Sequence, residues 1–128
     1  LFDFYNRPLS EKLFNAQSKV IKRFGEEGNC VIVGRNANSI LREYDHSLHV
    51  FLHANKKWRI RRMQEKLPDL SPEKLAEQVD VIDKQRKKYC SYYTNTEFGS
   101  AKYYDVCLDT GRLGIDACVQ ILLAMARE

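Results

Sequence analysis

Three short apolar runs set the strongest limit on how this chain can fold. They lie at residues 30–33, 48–53 and 104–108. A strand that is covered on both faces shows such a run, as it does in a parallel sheet between layers of helices. Two helical stretches separate the second run from the third, and others precede and follow the runs, so the sequence predicts an α/β fold with a mainly parallel sheet.

Four stretches show the spacing or the end signals of helices. The first runs from Ser10 to about Phe24, and the second covers about 56–66. The third begins at Ser71, with Pro72 at the first helical position, and continues to about residue 93. The last covers about 115–127 and carries one apolar stripe, which consists of Ile115, Cys118, Val119, Leu122, Leu123 and Ala126.

Composition limits the class of protein. A chain of 128 residues, 44% of them hydrophobic, has the size of one domain with one core. No run of about 18 apolar residues is present, so we expect no membrane partner.

The four cysteines are Cys30, Cys90, Cys107 and Cys118, and they form no CxxC pair. This pattern indicates buried, reduced thiols in a cytoplasmic protein and no metal site. The net charge of +4 suits phosphate ligands but is also common in soluble proteins.

The segments that follow the three apolar runs are candidate ligand sites. In open parallel sheets, ligands bind beyond the carboxyl ends of the strands. The three segments are Gly34-Arg35-Asn36, His53-Ala54-Asn55 and Asp109-Thr110-Gly111. Glycine lets a ligand approach the backbone, and arginine offers a forked donor that suits phosphate. Gly-Arg and Asp-Thr-Gly also form ordinary turns, so the residues alone leave both interpretations open.

Two pairs of charged residues lie at helical spacing. Arg59 and Arg62 share one helix face and could neutralise a transferring phosphoryl group, although a solvated basic face has the same pattern. Asp83 and Arg86 could face a phosphate-bearing substrate across a cleft. The same helix also carries Asp83 and Lys87 at the spacing of a stabilising ion pair, which is the structural interpretation.

An aromatic cluster extends from the end of the third helix to the start of the third apolar run. Its members are Tyr92, Tyr93, Phe98, Tyr103 and Tyr104. Aromatic faces beside basic residues can stack the bases of nucleotides or single strands. Tyrosines at such positions more often cover the edge of a core, and this interpretation is favoured here.

The ordered series of motifs resembles the cytidylate-kinase-like family of P-loop kinases. The resemblance runs from about Leu13 to the C-terminus, and no single motif is decisive. The motifs that carry it occupy residues 16–18, 30–37, 40–42, 49–54, 58–63, 83–86, 92–94, 104–110 and 113–115. Such a resemblance implies a three-layer α/β/α P-loop NTPase fold with a helical lid at about 59–95.

The activity that the resemblance implies is phosphoryl transfer from ATP, with Mg²⁺, to a nucleoside monophosphate. A cytidylate-like acceptor is favoured, and nucleotides are the expected substrates. Gly34, Arg35 and Asn36 would bind the acceptor after the first strand. Asp83 and Arg86 would line the acceptor site from the lid helix. Arg59 and Arg62 would be the catalytic residues. The adenine of ATP would lie near Asp109, Thr110 and Gly111.

The chain departs from the family pattern at two points. Asn36 stands where cytidylate kinases have an aspartate, which puts the preference for cytidine in doubt. No GxxxxGK[ST] sequence is present, although that loop cradles the phosphates and supplies the hydroxyl that binds Mg²⁺. Leu1 is not an initiator methionine, so we expect residues 1–128 to be a partial kinase domain without its N-terminal P-loop part. We therefore expect this fragment to be inactive alone, and we assign no metal ligand in it.

Two other functions fit the same sequence. The first is a nucleotide-binding regulatory module that keeps the kinase fold without the reaction, an alternative that Asn36 leaves open. The second is a nucleic-acid-binding module built on the basic lid and the aromatic cluster, whose binding would weaken steeply with salt. Nucleic acid is the least favoured partner, and the sequence points to no particular oligomeric state.

Overall fold

The computed structural model describes residues 7–126, apart from the side chains of residues 7–10. The chain falls into two compact units, Leu1–Ser47 and Leu48–Glu128, which we call the N-terminal unit and the C-terminal unit. The expectation of a single partial domain over residues 1–128 stays a prediction. Each unit is described by itself below.

Two helices form the described part of the N-terminal unit. Helix α1 spans Arg7–Glu27, which extends the predicted helix at both ends, and α2 spans Ala37–Ile40. Gly28 ends α1 with a positive φ of 74°, a conformation that glycine adopts without strain. The core of this unit contains side chains from α1, α2 and the loops around α2, namely Ile21, Ile32, Ala37, Ile40, Leu41 and Tyr44.

The predicted strand at residues 30–33 is absent, and this expectation was wrong. Val31 and Val33 are 91% and 87% exposed, whereas Ile32 packs against the core. The segment therefore keeps the alternation of a strand, with side chains on opposite faces. A strand also needs a neighbour for its backbone hydrogen bonds, and no described residue pairs with this segment. Cys30, which we expected to be buried in this strand, is exposed because the strand does not form.

The other two apolar runs form a parallel two-stranded sheet in the C-terminal unit. Strand β1 spans Val50–His53 and β2 spans Val106–Asp109. Val50 lies opposite Val106, and His53 lies opposite Asp109, so both strands end at the same edge. The parallel pairing agrees with the predicted α/β class. The three-layer arrangement, the P-loop and the lid stay predictions.

Helices connect and follow these two strands. They are α3 (Lys56–Lys66), α4 (Pro72–Thr94), a 3₁₀ helix (Ala101–Tyr103), α5 (Thr110–Leu113) and α6 (Ile115–Ala126). Asn55 caps α3 by accepting a hydrogen bond from the backbone N–H of Trp58 at 2.8 Å. Ser71 caps α4 in the same way through Lys74 N–H at 3.2 Å, as the sequence predicted. None of the described helices is long and apolar enough to cross a membrane.

Helix α4 supplies three of the five buried apolar side chains that are described in the C-terminal unit. Leu75 is completely buried, and Val79 and Cys90 are buried on the same helix. Leu108 and Cys118 are buried on β2 and α6. The apolar stripe of α6 is otherwise largely exposed. Its exposed residues are Ile115, Val119, Leu123 and Ala126.

Rings from the predicted aromatic cluster pack against β1. Phe98 meets Phe51 edge-on at 5.3 Å between centroids, and Tyr104 lies 5.0 Å from the same ring. A Cβ at Gly99 would lie 2.9 Å from Cζ of Phe51, so only glycine lets the chain pass this close. The core interpretation holds for Phe98 and Tyr104, whereas Tyr92 is half exposed.

Candidate functional site

The strands β1 and β2 end side by side. Asp109, Thr110 and Gly111, at the end of β2, therefore lie beside the segment that follows β1. The Asp109 carboxylate accepts hydrogen bonds from the backbone N–H groups of Gly111 and Arg112, at 3.0 and 3.1 Å, and so begins α5. The Thr110 hydroxyl donates to the carbonyl oxygen of His53 at 3.2 Å. These side chains therefore join the two strand ends, as the turn interpretation requires.

Gly111 lets the start of α3 pack closely against this strand end. A Cβ built on Gly111 would lie 3.2 Å from Cγ of Trp58 and 3.3 Å from Cβ of Ala54. Such distances are tighter than ordinary van der Waals contact, so a larger residue would push Trp58 away. Among the described residues, an open depression continues from this contact and is lined by Trp58, Thr110, Gly111, Leu113, Gly114, Ile115, Asp116 and Ala117.

Arg59 joins three parts of the C-terminal unit. Its Nε donates a hydrogen bond to the carbonyl oxygen of Ala54 at 3.0 Å, directly after β1. Its Nη1 donates to both carboxylate oxygens of Asp83 on α4, each at 3.0 Å. The two side chains are 34% and 30% exposed, so water screens their attraction less than on an open surface. The predicted catalytic arginine and the predicted acceptor-binding aspartate are therefore partners.

A second ion pair links α3 to α4 near the first. Lys56 Nζ lies 2.8 Å from Oδ1 of Asp80, with both groups largely exposed. The hydrogen bond from Lys56 lowers the pKa of Asp80 below its ordinary value. A lowered pKa in the folded protein means that the carboxylate stabilises the fold above the ordinary aspartate range. This contribution is lost as the pH falls through the lowered pKa.

The other two candidate residues of the lid helices are less constrained. Arg62 Nη1 lies 3.5 Å from Oε2 of Glu65, three residues further along α3, and both groups are well exposed. Arg86 is exposed on α4, and the described residues offer it neither a hydrogen bond nor an ion pair. Of the three candidate arginines on α3 and α4, Arg86 is therefore the most available to a ligand.

The candidate segment of the N-terminal unit has an unusual backbone. Gly34, Arg35 and Asn36 have consecutive positive φ angles of 74°, 58° and 57°. Glycine adopts this left-handed conformation freely, but each of the other two residues is strained by about 1 kcal/mol. Strained backbone is concentrated at ligand sites, which makes the segment a candidate on structural grounds as well.

Two buried polar atoms lie in and beside this segment. Asn36 Nδ2 and the Ser39 hydroxyl have no hydrogen-bond partner among the described residues. Leaving such a group buried and unpaired costs about 1–3 kcal/mol. The sequence indicated Asn36 through its place after the first apolar run, whereas nothing in the sequence indicated Ser39. The place of Trp58 beside Gly111 required the structure.

The comparisons with known proteins agree with the predicted family. The model of the cytidylate kinase-like family matches residues 2–112, and the chain belongs to this family. At this coarse level, it is a nucleotide-kinase-like protein. A crystal structure of an uncharacterized protein from Eubacterium ventriosum superposes with a TM-score of 0.84 at 23% identity, and the match covers 92% of this chain and 74% of that one. At 23% sequence identity, this structural similarity shows a shared fold and no shared function. No curated protein matches the chain.

The first prediction concerns the pair formed by Arg59 and Asp83. We expect the substitutions Arg59→Met and Asp83→Ala to show a coupling of about 1 kcal/mol in a double-mutant cycle of urea unfolding, because each side chain loses the same partner. The control cycle uses Arg62→Met and Glu65→Ala, an exposed pair within one helix, which should give about 0.3 kcal/mol. Equal coupling in both cycles would contradict the proposed link between α3 and α4.

The second prediction concerns the unpaired hydroxyl of Ser39. We expect Ser39→Ala to raise the free energy of unfolding by about 1 kcal/mol, because it removes a buried unsatisfied group and introduces a better helix former. The control is Asn38→Ala on the same short helix, where the side chain has an interaction to lose. A loss of stability in Ser39→Ala would mean that the hydroxyl has a partner in solution.

Proposed function

We propose that this chain provides the acceptor-binding and lid parts of an ATP-dependent kinase that phosphorylates a nucleoside monophosphate, with a cytidylate-like acceptor favoured. Membership of the cytidylate kinase-like family is the observation that carries the proposal. The edge at which β1 and β2 end supports it, because ligands of parallel sheets bind there. Arg59 of α3 and Thr110 of α5 form hydrogen bonds with residues at that edge.

Phosphoryl transfer suits a site that is built from positioned cations. The reaction spreads negative charge over the oxygens of the moving group, so catalysis depends mainly on positioning and electrostatic stabilisation. In the proposed mechanism, Arg59 and Arg62 neutralise that charge from α3. Asp83 fixes the Arg59 guanidinium through two hydrogen bonds, so the orientation of this cation is set before the substrate arrives. The proposed roles of Arg59 and Asp83 thus act as one unit.

Arg86 is the proposed contact for the acceptor phosphate on α4. It is exposed and not held by another described side chain, so a phosphate does not have to displace a partner. Gly34 and Arg35 are the proposed acceptor-binding residues within the N-terminal unit. Asn36 presents an amide instead of a carboxylate there. Because an amide can both donate and accept, the acceptor base has to be identified by experiment with several nucleotides.

ATP and Mg²⁺ are the proposed cofactors of this reaction. The part of the chain that the structure describes contains no group of three or more His, Cys, Asp or Glu side chains that could hold a metal ion. The proposal assigns none of the described residues to magnesium. Asp109, Thr110 and Gly111 are the proposed neighbours of the ATP base, and the depression beside Gly111 gives that base room.

The third prediction tests the proposed reaction and its acceptor site. In the full-length protein with ATP and Mg²⁺, we expect ADP formation that depends on one nucleoside monophosphate of a panel, with CMP or dCMP as the best acceptor. Arg86→Ala should lower kcat/KM for that acceptor at least tenfold, because a charge-assisted hydrogen bond to phosphate is lost. Its unfolding free energy should stay within about 0.5 kcal/mol of the parent.

The control for this prediction is Lys87→Ala. Lys87 is the next residue of α4 and is also exposed, but it points in a different direction around the helix. We expect less than a twofold change in kcat/KM for this variant. Equal effects of the two substitutions would remove Arg86 from the acceptor site. ATP binding without turnover for any acceptor would instead favour the regulatory nucleotide-binding module.

A further inference from the structure

The segment that follows β1 has one side chain that the local structure does not use. The Asn55 side chain caps α3, and the carbonyl oxygen of Ala54 accepts the hydrogen bond from Arg59. The carbonyl oxygen of His53 is likewise held by the Thr110 hydroxyl. The side chain of His53, however, is exposed, and the described residues offer its imidazole neither a hydrogen bond nor an ion pair. The ring nitrogens of His53 are therefore available to a ligand.

The position of this imidazole is fixed by contacts that leave its nitrogens accessible. The hydrogen bond from Thr110 ties His53 to the start of α5, and Arg59 ties the next residue to α3. The imidazole stacks on the ring of Phe51, with 5.9 Å between the centroids and 17° between the planes. Stacking occupies a face of the imidazole, whereas the nitrogens lie on its edge. The nitrogens are thus presented at the carboxyl end of β1, where ligands of parallel sheets bind.

The carboxylates of the elements that pack at this strand end already have partners. Asp109, opposite His53 on β2, accepts hydrogen bonds from two backbone N–H groups of α5. Asp80 and Asp83 of α4 form ion pairs with cations of α3. A protonated His53 therefore has no ion-pair partner among the described residues and keeps its charge for a ligand.

Two further cations belong to the elements that contact this strand end. Lys57 lies in the first turn of α3, Arg112 lies on α5, and both are exposed. Burial raises the pKa of Tyr104, which packs against Phe51, so its hydroxyl is uncharged near neutral pH. An anion that reaches His53 thus meets cations and carboxylates that are already engaged. Phosphate is the anion that the proposed reaction brings to this edge.

We infer that the imidazole of His53 binds a phosphate group of a nucleotide, and that protonation of this ring makes the binding depend on pH. Histidine gains its positive charge as the pH falls from about 8 to about 5. A hydrogen bond from a cation to a phosphate is stronger than one between neutral groups. The contribution of His53 therefore grows as the pH falls and is lost as the pH rises. The inference rests on the proposed function, because the phosphate belongs to ATP or to the acceptor of that reaction.

The test measures nucleotide binding by calorimetry at two pH values with the full-length protein. ATP with Mg²⁺ and each nucleoside monophosphate of the panel are titrated separately. For one of these nucleotides, we expect His53→Gln to weaken binding about fivefold at about pH 6 and less than twofold at about pH 8.5. The ratio of the two dissociation constants cancels the ionisation of the phosphate itself, because parent and variant bind the same ligand. The nucleotide that shows the loss identifies the source of the phosphate, and no loss with any of them would overturn the inference.

Two further variants separate the charge of His53 from its packing. His53→Lys is positively charged at both pH values, so its affinity relative to His53→Gln should be the same at the lower and the higher pH. His53→Phe keeps a ring that can stack on Phe51 but carries no charge, so it should lose as much affinity at the lower pH as His53→Gln does. Full affinity in His53→Phe would mean that only the stacked ring matters, against the inference. If His53→Gln fails to fold, His53→Lys and His53→Phe still make this comparison.

The matched controls are a second histidine and ligands without phosphate. His46 is exposed like His53 but lies in a turn of the N-terminal unit, so His46→Gln should bind nucleotides as the parent does at both pH values. Adenosine and cytidine, which carry no phosphate, should bind equally to the parent and to His53→Gln. An equal loss in His46→Gln, or a loss of nucleoside binding in His53→Gln, would remove the phosphate contact from His53.

These outcomes are distinct from failure of the proposed kinase reaction. A pH-dependent loss of nucleotide binding in His53→Gln, in a protein that transfers no phosphoryl group, would keep the phosphate contact and reject the kinase. Phosphoryl transfer by a protein whose affinities at the lower pH are unchanged in His53→Gln would keep the kinase and reject the contact.

Discussion

The guanidinium of Arg59 is the interaction on which the candidate site of the C-terminal unit depends. It joins the carbonyl oxygen of Ala54, just after β1, to both carboxylate oxygens of Asp83 on α4. Helix α3 begins between these anchors, so its first turn is fixed relative to the strand end. Trp58 is the residue before Arg59 and meets Gly111 at the end of β2. One side chain therefore relates both helices of the predicted lid to the sheet edge.

Local features of the structure could be predicted from the sequence because they depend on neighbouring residues. The cap of α4 is of this kind, since the Ser71 hydroxyl accepts a hydrogen bond from a backbone N–H three residues further on. The parallel pair of β1 and β2 followed from two apolar runs that are separated by helices. The family was also predicted correctly, because the order and spacing of its motifs remain visible in the sequence.

Features that depend on distant partners were missed or wrong. Residues 30–33 have the composition of a strand, but a strand forms only where another strand can pair with it. Arg59 and Asp83 are 24 residues apart, so helical spacing could not reveal that they bind each other. Each of them was therefore predicted to have a separate role in the site. Ser39 was missed for a similar reason, because its buried hydroxyl is unusual only in the folded unit.

The most direct test of the proposed function follows the phosphoryl group itself. Full-length protein would be incubated with Mg²⁺, ATP labelled at the γ-phosphate and the best nucleoside monophosphate of the panel, and the products would be separated. A nucleotide kinase places the label in the nucleoside diphosphate, and we expect this result. Label that remains in ATP, or that is released only as inorganic phosphate, would contradict phosphoryl transfer to a nucleotide.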